Sequence, residues 1–343
     1  MIPISKTSCL QQSPRTLTRR AWLGASCIVV TGLALRSISK SLSYVADDKE
    51  KALAMLDQKI EELKKSSKEK EVVELLELFR KEFLENGEVN GEQPYPAVTM
   101  YNLGEENGEV VLRGTSPVMQ PGFINANWNN RNIPHVIESF VSGCLKEAVY
   151  FGEYKKNPAI VINKIKAQHD FAKEINRLSS KATTKELFIK LAQNSDVVES
   201  AKQYIASLTH WEFMGYKVQL EFLHRQGWDA NVCEKMKKDK AIYRNDFLRN
   251  SFLQNLGRMG FVSQEGVLDE GNFLRTVVKD MFLTSEEQHD PQNRLFDNYS
   301  RSAFHIILAS QAEYRNAPDV LELFDKKANL FDFIYDEKYW KVN

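Results

Sequence analysis

Apolar residues recur every three or four positions along most of the chain, which is the spacing of amphipathic helices. In residues 47–87 this pattern occurs twice, on either side of a nearly continuous charged run at 64–71. The apolar positions are Leu53, Leu56, Ile60 and Leu63 before the run, and Val72, Leu76, Phe79 and Phe83 after it. The pattern predicts one bent charged helix or a helix pair, which is either a partner-binding coiled coil or a surface element packed on the body.

Residues 88–132 interrupt the helical pattern, because they are rich in Gly, Asn and Pro. Within them, 97–103 and 109–112 have strand character and are predicted to pair as a β-hairpin. Trp128 stands among asparagines in a stretch that we interpret as a polar loop. A Trp in such a loop either lines a site or anchors the loop on the core.

From residue 133 to the end, the periodicity again predicts helices. The predicted ranges are 134–152, 158–178, 184–193, 196–226, 230–239, 242–256, 269–283, 291–314 and 318–327. We therefore predict a mostly α protein whose multi-helix domain, of about nine helices, spans 133–343. The small loop and hairpin region and the N-terminal charged helix or helix pair precede this domain.

The first 46 residues have the features of a targeting segment. They contain six Lys and Arg residues, no Asp or Glu, and an apolar stretch at 21–35. That stretch is short for a membrane span, which needs about 20 residues. Residues 18–23 (TRRAWL) resemble the twin-arginine export motif, in which paired arginines precede an aromatic residue and a leucine. The resemblance implies a signal for export to the periplasm.

Two alternative interpretations of the targeting segment stand beside export. Its many Ser and Thr residues and its lack of acidic residues also fit a transit peptide for a mitochondrion or plastid. Because no clear cleavage site follows the apolar stretch, an uncleaved membrane anchor ending near Ile38 is the second alternative.

Charge and composition narrow the class of protein further. The chain is 43% hydrophobic and 27% charged, as expected for a globular protein. Its net charge is zero, but beyond residue 46 it has 40 basic and 46 acidic residues, a net of −6. An acidic body without basic clusters argues against nucleic acid as a partner. Cys144 and Cys233, the only cysteines beyond residue 46, either form one disulfide or remain separate buried thiols.

The predicted helix at 196–226 is the most informative element, because it is apolar on two flanks and therefore central. A narrow polar strip separates the flanks: His210, Met214, Lys217, Glu221, His224 and Arg225. The opposite side carries Glu212, Gln219 and Gln226. The common motifs of phosphate loops, serine hydrolases, zinc proteases and thiol redox proteins are missing from the sequence.

The pair Glu221 and His224 has the Glu-x-x-His spacing found in carboxylate-bridged di-iron bundles. With His210 and Glu138, these residues are our candidate metal ligands, although the sequence holds no second Glu-x-x-His pair. The alternative is that Lys217, Glu221 and Arg225, which are four residues apart, form ordinary surface ion pairs.

His305 is a candidate cofactor residue of a different kind. It belongs to a stripe with the small residues Ser302, Ala309 and Ala312, which would let a flat ligand such as haem, or another helix, approach closely. A hydrogen-bonded core histidine is the alternative role. His-Asp pairs at 169–170 and 289–290, the first with His135 upstream, faintly resemble the metal site of helical HD-type phosphohydrolases.

Three functional hypotheses follow. The first is an exported or membrane-anchored helical protein that binds an unidentified protein partner or small-molecule ligand, and it predicts a solvated His210 strip. The second is a metal- or haem-dependent enzyme with its site in the bundle core. It predicts that Glu221 and His224 are buried and face Glu138, Glu147 or His305. The third is a helical HD-type metal phosphohydrolase.

Overall fold

A computed structural model describes residues 32–90, 97–106, 109–159, 184–282, 299–317 and 320–340, with isolated helical positions between 161 and 175. The chain divides into two units, Met1–Ala46 and Asp47–Asn343. In the first unit the described residues are helical. Most of the apolar stretch 21–35 lies outside the described residues, and no helix among those described is both long and apolar enough to cross a membrane.

The described chain is mostly α-helical with one small three-stranded sheet, which confirms the predicted fold class. The strands are β1 (Glu88–Val89), β2 (Ala97–Glu106) and β3 (Glu109–Met119). The helices up to the central one are α1 (Gly32–Leu63), α2 (Lys70–Asn86), α3 (Pro121–Asn129), α4 (Val136–Lys156), α5 (Thr184–Leu191) and α6 (Ser195–Arg225). The later helices are α7 (Ala230–Lys238), α8 (Lys240–Arg244), α9 (Asp246–Met259), α10 (Glu270–Phe282), α11 (Tyr299–Ala309) and α12 (Val320–Lys326).

The helix pair predicted for residues 47–87 is present as the end of α1 and the whole of α2. The charged run between them breaks the helix at Leu63 and forms only a short 3₁₀ turn, Ser67–Glu69. All eight apolar positions of the pattern except Leu53 are buried in the main core. Arg80 pairs with Asp57 across the two helices, so the pair is held by both apolar burial and charge.

The predicted hairpin is also present, and its strands are longer than expected. β2 and β3 pair antiparallel from Ala97 opposite Met119 to Glu106 opposite Glu109, with a register shift between Asn102 and Leu103. Pairing therefore leaves two residues, Asn-Gly in the sequence, between the strands, a combination typical of tight hairpins. β1 runs parallel to β3 on its other side.

The stretch around Trp128 is a helix, α3, rather than the predicted polar loop. Pro121 occupies its first turn, where a missing N–H is tolerated. The side-chain amide of Asn127 donates to the Phe123 carbonyl at 2.8 Å, so asparagines that suggested a loop are used inside the helix. Trp128 packs against the core, and the Arg131 guanidinium lies over its ring, 4.1 Å from the ring centre.

Helix α6 is the central element, as its two apolar flanks predict. It contacts α4, α9, α10 and α11, and also the C-terminal 3₁₀ segments Ala328–Tyr335 and Glu337–Tyr339. The single helix predicted at 242–256 is instead two, α8 and α9. The side chain of Asn245 accepts hydrogen bonds from the Phe247 and Leu248 amides and so starts a new helix.

Candidate functional site

His210, the first residue of the polar strip on α6, is 7% exposed. Its Nε2–H donates to the Ile334 carbonyl at 2.6 Å, and its ring stacks on Trp340 with 3.9 Å between centroids. Burial lowers the pKa of His210, although the Ile334 carbonyl and Glu270 oppose that shift. The expectation of a solvated strip is therefore wrong at His210, because residues from the far C-terminus cover it.

Glu221 and His224 are partly exposed, so the expectation that they are buried is also wrong. The Glu221 carboxylate accepts the Leu268 amide at 3.3 Å. The His224 ring lies against Gly266, where an added methyl group would be 2.8 Å from Nδ1. Gly266 has a positive φ of 82°, which favours glycine. Both residues thus hold the turn that precedes α10.

The surface ion pairs predicted along α6 do not form. Arg225 reaches out of its helix to Glu69, with Nε at 3.0 Å from one carboxylate oxygen and Nη2 at 3.2 Å from the other. Glu69 is buried, and bidentate geometry makes this the stronger kind of ion pair. The pair joins α6 to the turn between α1 and α2.

The remaining sequence candidates are dispersed through the fold. His305 is buried, stacks on Phe188 and shares a 2.8 Å hydrogen bond between its Nδ1 and the Tyr314 hydroxyl. Glu138 accepts from the buried Lys59 Nζ at 3.1 Å. Across the part of the chain that the structure describes, no three His, Cys, Asp or Glu side chains are grouped as a metal ion would require.

The remaining sequence candidates are the two His-Asp pairs and the two cysteines. Both His-Asp pairs, at 169–170 and 289–290, are outside the described ranges. Cys144 is a buried free thiol, and burial raises its pKa far above the usual value. This agrees with the interpretation of separate thiols, while the side chain of Cys233 lies outside the description.

Polar residues gather instead where α4 packs on α6, in an arrangement that we call the polar seam: Ser139, Ser142, Lys146 and Glu147 of α4 with Glu212, Tyr216 and Gln219 of α6. At its centre Lys146 Nζ is 2.7 Å from the Glu212 carboxylate, with the two side chains 17% and 20% exposed. The ammonium also lies 4.2 Å from the centre of the Tyr216 ring. Burial on its own would lower the pKa of Lys146, but Glu212, Tyr216 and Glu147 together raise it above its usual value.

Glu147 joins the polar seam to the sheet. A single carboxylate oxygen accepts the Thr99 backbone N–H at 2.8 Å and the Thr99 hydroxyl at 2.7 Å. The Thr99 N–H thus points away from β3, consistent with Pro117, which has no N–H, standing opposite it. Burial raises the pKa of Glu147, while Lys146 and Thr99 oppose the shift.

At the other end of the seam the side chains form a buried hydrogen-bonded chain. The Gln219 amide donates to Asn255 at 3.0 Å and to the Ser142 hydroxyl at 3.3 Å, and Ser139 shares a 2.9 Å bond with Ser251. Between these two parts, Gly215 lets the helices approach, because an added methyl group would be 2.7 Å from the Tyr150 hydroxyl. The seam therefore fixes the packing of α4, α6 and α9 together.

A second unusual feature lies at the start of α4. His135 has a φ of 66°, which makes it the only described residue other than glycine with a positive φ. Its Nδ1 and the Nε1–H of the fully buried Trp228 have no hydrogen-bond partner among the described residues, and the two rings meet edge to face at 5.9 Å. Unpaired buried polar groups cost stability, and the polar seam contains one as well, because Oε1 of Gln219 has no hydrogen-bond partner among the described residues.

Sequence reasoning placed Glu212 and Gln219 on the side of α6 opposite the candidate strip and gave them no role. Residues seven apart share a helix face, so Glu212 and Gln219 form a second pair of polar positions on a helix with two apolar flanks. That pattern could have indicated a buried polar contact with a neighbouring helix. Lys146 and Glu147 carried no comparable signal, because their partners come from other elements.

Comparison with known proteins gives no match. No protein-family model fits the chain, and no curated protein or solved structure is significantly similar to it.

The Lys146–Glu212 pair leads to a first prediction. In urea unfolding, Lys146→Met alone should lower the free energy of unfolding by on the order of 2 kcal/mol, because it leaves the Glu212 carboxylate largely buried without its partner. The double variant with Glu212→Leu should lose less than the two single variants combined, giving a coupling energy of about 1–3 kcal/mol. The exposed pair Lys70 and Glu74, 3.9 Å apart, is the control and should show coupling close to zero. Strict additivity at 146 and 212 would contradict this account.

The buried His210 leads to a second prediction. Because its pKa is lowered by folding, the unfolded chain takes up the proton first as the pH falls, so stability is lost below about pH 6.5. The free energy of unfolding should therefore decrease more steeply in the wild type than in His210→Gln between about pH 7.5 and pH 5.5. Chemical unfolding at several pH values measures this difference. Identical pH profiles would show that His210 does not titrate as its burial requires.

Proposed function

We propose that this chain is an exported α-helical binding protein, which holds a protein partner or small-molecule ligand. The observation that supports binding over metal or haem chemistry is that every candidate ligand side chain has a separate structural partner. His210 is engaged with Ile334, His305 with Tyr314 and Glu138 with Lys59. Each of these contacts holds its side chain at a different place in the fold, and among the described residues no three His, Cys, Asp or Glu side chains converge on one point.

The polar seam supports the same proposal. A lysine acts as a base or nucleophile only when it is deprotonated, and the surroundings of Lys146 hold its pKa above the usual value. Glu147 already accepts two hydrogen bonds from Thr99. These groups act as a scaffold that fixes α4 against α6, and this leaves the surface to carry recognition.

The proposed location comes from residues 1–46. The basic start, the apolar stretch at 21–35 and the paired Arg19 and Arg20 favour twin-arginine export. Import into a mitochondrion or plastid and an uncleaved membrane anchor are the alternatives that an experiment has to separate.

A test of metal content addresses the proposed activity. The full chain, purified without chelator, should contain less than stoichiometric iron, manganese, zinc or copper by mass spectrometry, and its absorption spectrum should show no haem band. His224→Ala should have the same metal content as the wild type, because His224 packs on Gly266. Near-stoichiometric metal that is lost in His224→Ala but kept in Lys217→Ala, the exposed neighbour on α6, would overturn the proposal in favour of a metal enzyme.

A reporter assay addresses the proposed location. Residues 1–46 fused to a folded fluorescent protein should direct it to the bacterial periplasm. Replacing Arg19 and Arg20 by lysine keeps the charge and should abolish export, since that pathway reads the arginine pair. Arg15→Lys is the matched control and should have no effect. Organellar import that is insensitive to the pair, or an uncleaved reporter retained in the membrane, would contradict twin-arginine export.

A further inference from the structure

Three basic side chains surround one depression on the surface of the helical body. Lys238, Lys240 and Arg244, together with Tyr243, line a depression of about 220 Å³ where α7 ends and α8 follows. All four side chains are exposed, Tyr243 to 57%. This corrects the interpretation of the body as lacking basic clusters, because the sequence from 235 to 240 already contains four lysines.

The backbone beneath this basic depression is held in place from several sides. Asp239 caps α8, since its carboxylate accepts the Ala241 amide at 2.8 Å and the Ile242 amide at 3.3 Å. Met236 and Ile242 are buried and anchor the two helices on the core. The basic side chains therefore project from a backbone whose position is fixed before any ligand arrives.

The three cations of the basic depression, Lys238, Lys240 and Arg244, have no salt-bridge partner in the described part of the chain. Lys240 and Arg244 stand four apart on one helix, where like charges destabilise by a few tenths of a kcal/mol. The nearest acid in sequence, Asp239, already accepts two backbone amides.

Elsewhere in the described body, many cations pair with acids. Lys51 pairs with Asp47, Lys155 with Glu82, Arg249 with Asp246 and Lys326 with Glu322. In a body with a net charge of −6 there are enough carboxylates to do the same at the basic depression. The packing of the helices therefore does not explain why three cations without ion-pair partners lie together at this place.

We infer that the basic depression binds the phosphate groups of a small ligand, with the pyrophosphate unit as the recognised chemistry. Lys238 and Lys240 supply two ammonium groups, Arg244 supplies a guanidinium fork that suits phosphate oxygens, and Tyr243 supplies a hydroxyl donor. The inference rests on the proposed function, because it names the class of ligand that the binding protein holds.

Size and charge favour a small phosphate ligand over an extended polyanion. The volume lies below the 300–1,000 Å³ typical of drug-sized sites, so it suits a pyrophosphate, free or at the end of a nucleotide. A nucleic acid needs a basic surface that follows many phosphates, whereas the body around these three cations is acidic overall.

Calorimetric titration of the full chain with inorganic pyrophosphate and with ADP, both without magnesium and at low ionic strength, tests the inference. The wild type should bind pyrophosphate, and Arg244→Gln and Lys240→Gln should each weaken binding about tenfold or more, since each removes a charge-assisted contact. Lys65→Gln, an equal charge change at an exposed lysine after α1, is the matched control and should bind as the wild type does. Comparable affinity for both ligands would indicate the pyrophosphate unit alone, and tighter binding of ADP would indicate a nucleotide.

Urea unfolding of the same variants separates loss of binding from loss of structure. Arg244→Gln should unfold at the same or a higher urea concentration than the wild type, because it removes repulsion from Lys240. The inference is overturned if neither ligand binds in the millimolar range, if Arg244→Gln and Lys65→Gln bind equally, or if only an oligonucleotide binds. If the protein contains no metal and binds neither ligand, only the phosphate inference fails, and the proposed binding function would require a different ligand. If the protein contains stoichiometric metal, the proposed binding function itself fails.

Discussion

The close approach of α4 and α6 is the constraint on which the rest of this fold depends. Gly215 removes the side chain that would collide with Tyr150, and the shortened distance brings Lys146 onto Glu212. Buried polar groups are costly when they lose their partners, so a shift of one helix along the other would be penalised at several positions at once. Apolar packing alone would tolerate more than one arrangement, and the polar seam selects one.

The same contact determines what the neighbouring elements can do. Through Glu147 it holds Thr99 of the hairpin, and through Gln219 and Asn255 it holds α9. The opposite face of α6 is closed by the C-terminal segments, which bury His210. Both faces of the central helix are therefore occupied by packing partners within the described body.

The helical periodicity predicted the fold well, because burial of one face is a property of each helix by itself. The central position of α6 could be predicted from its two apolar flanks, and the hairpin from the strand character of residues 97–103 and 109–112. The burial of His210 was not, since it depends on Ile334 and Trp340, more than one hundred residues away. Likewise the break between α8 and α9 depends on the Asn245 side chain capping a helix, which competes with the local apolar pattern.

An acidic body and a basic depression are compatible because electrostatic interactions in salt solution are short-ranged. At physiological ionic strength charges are screened over about 8 Å, so a bound phosphate responds mainly to Lys238, Lys240 and Arg244 and only weakly to the distributed charge of −6. The acidic surface would repel a long polyanion, because the phosphates outside the basic depression would lie along that surface. For the compact phosphate ligand that we infer, this charge distribution would disfavour extended polyanions, and it would add to the specificity that the few side chains of the basic depression supply by hydrogen bonding.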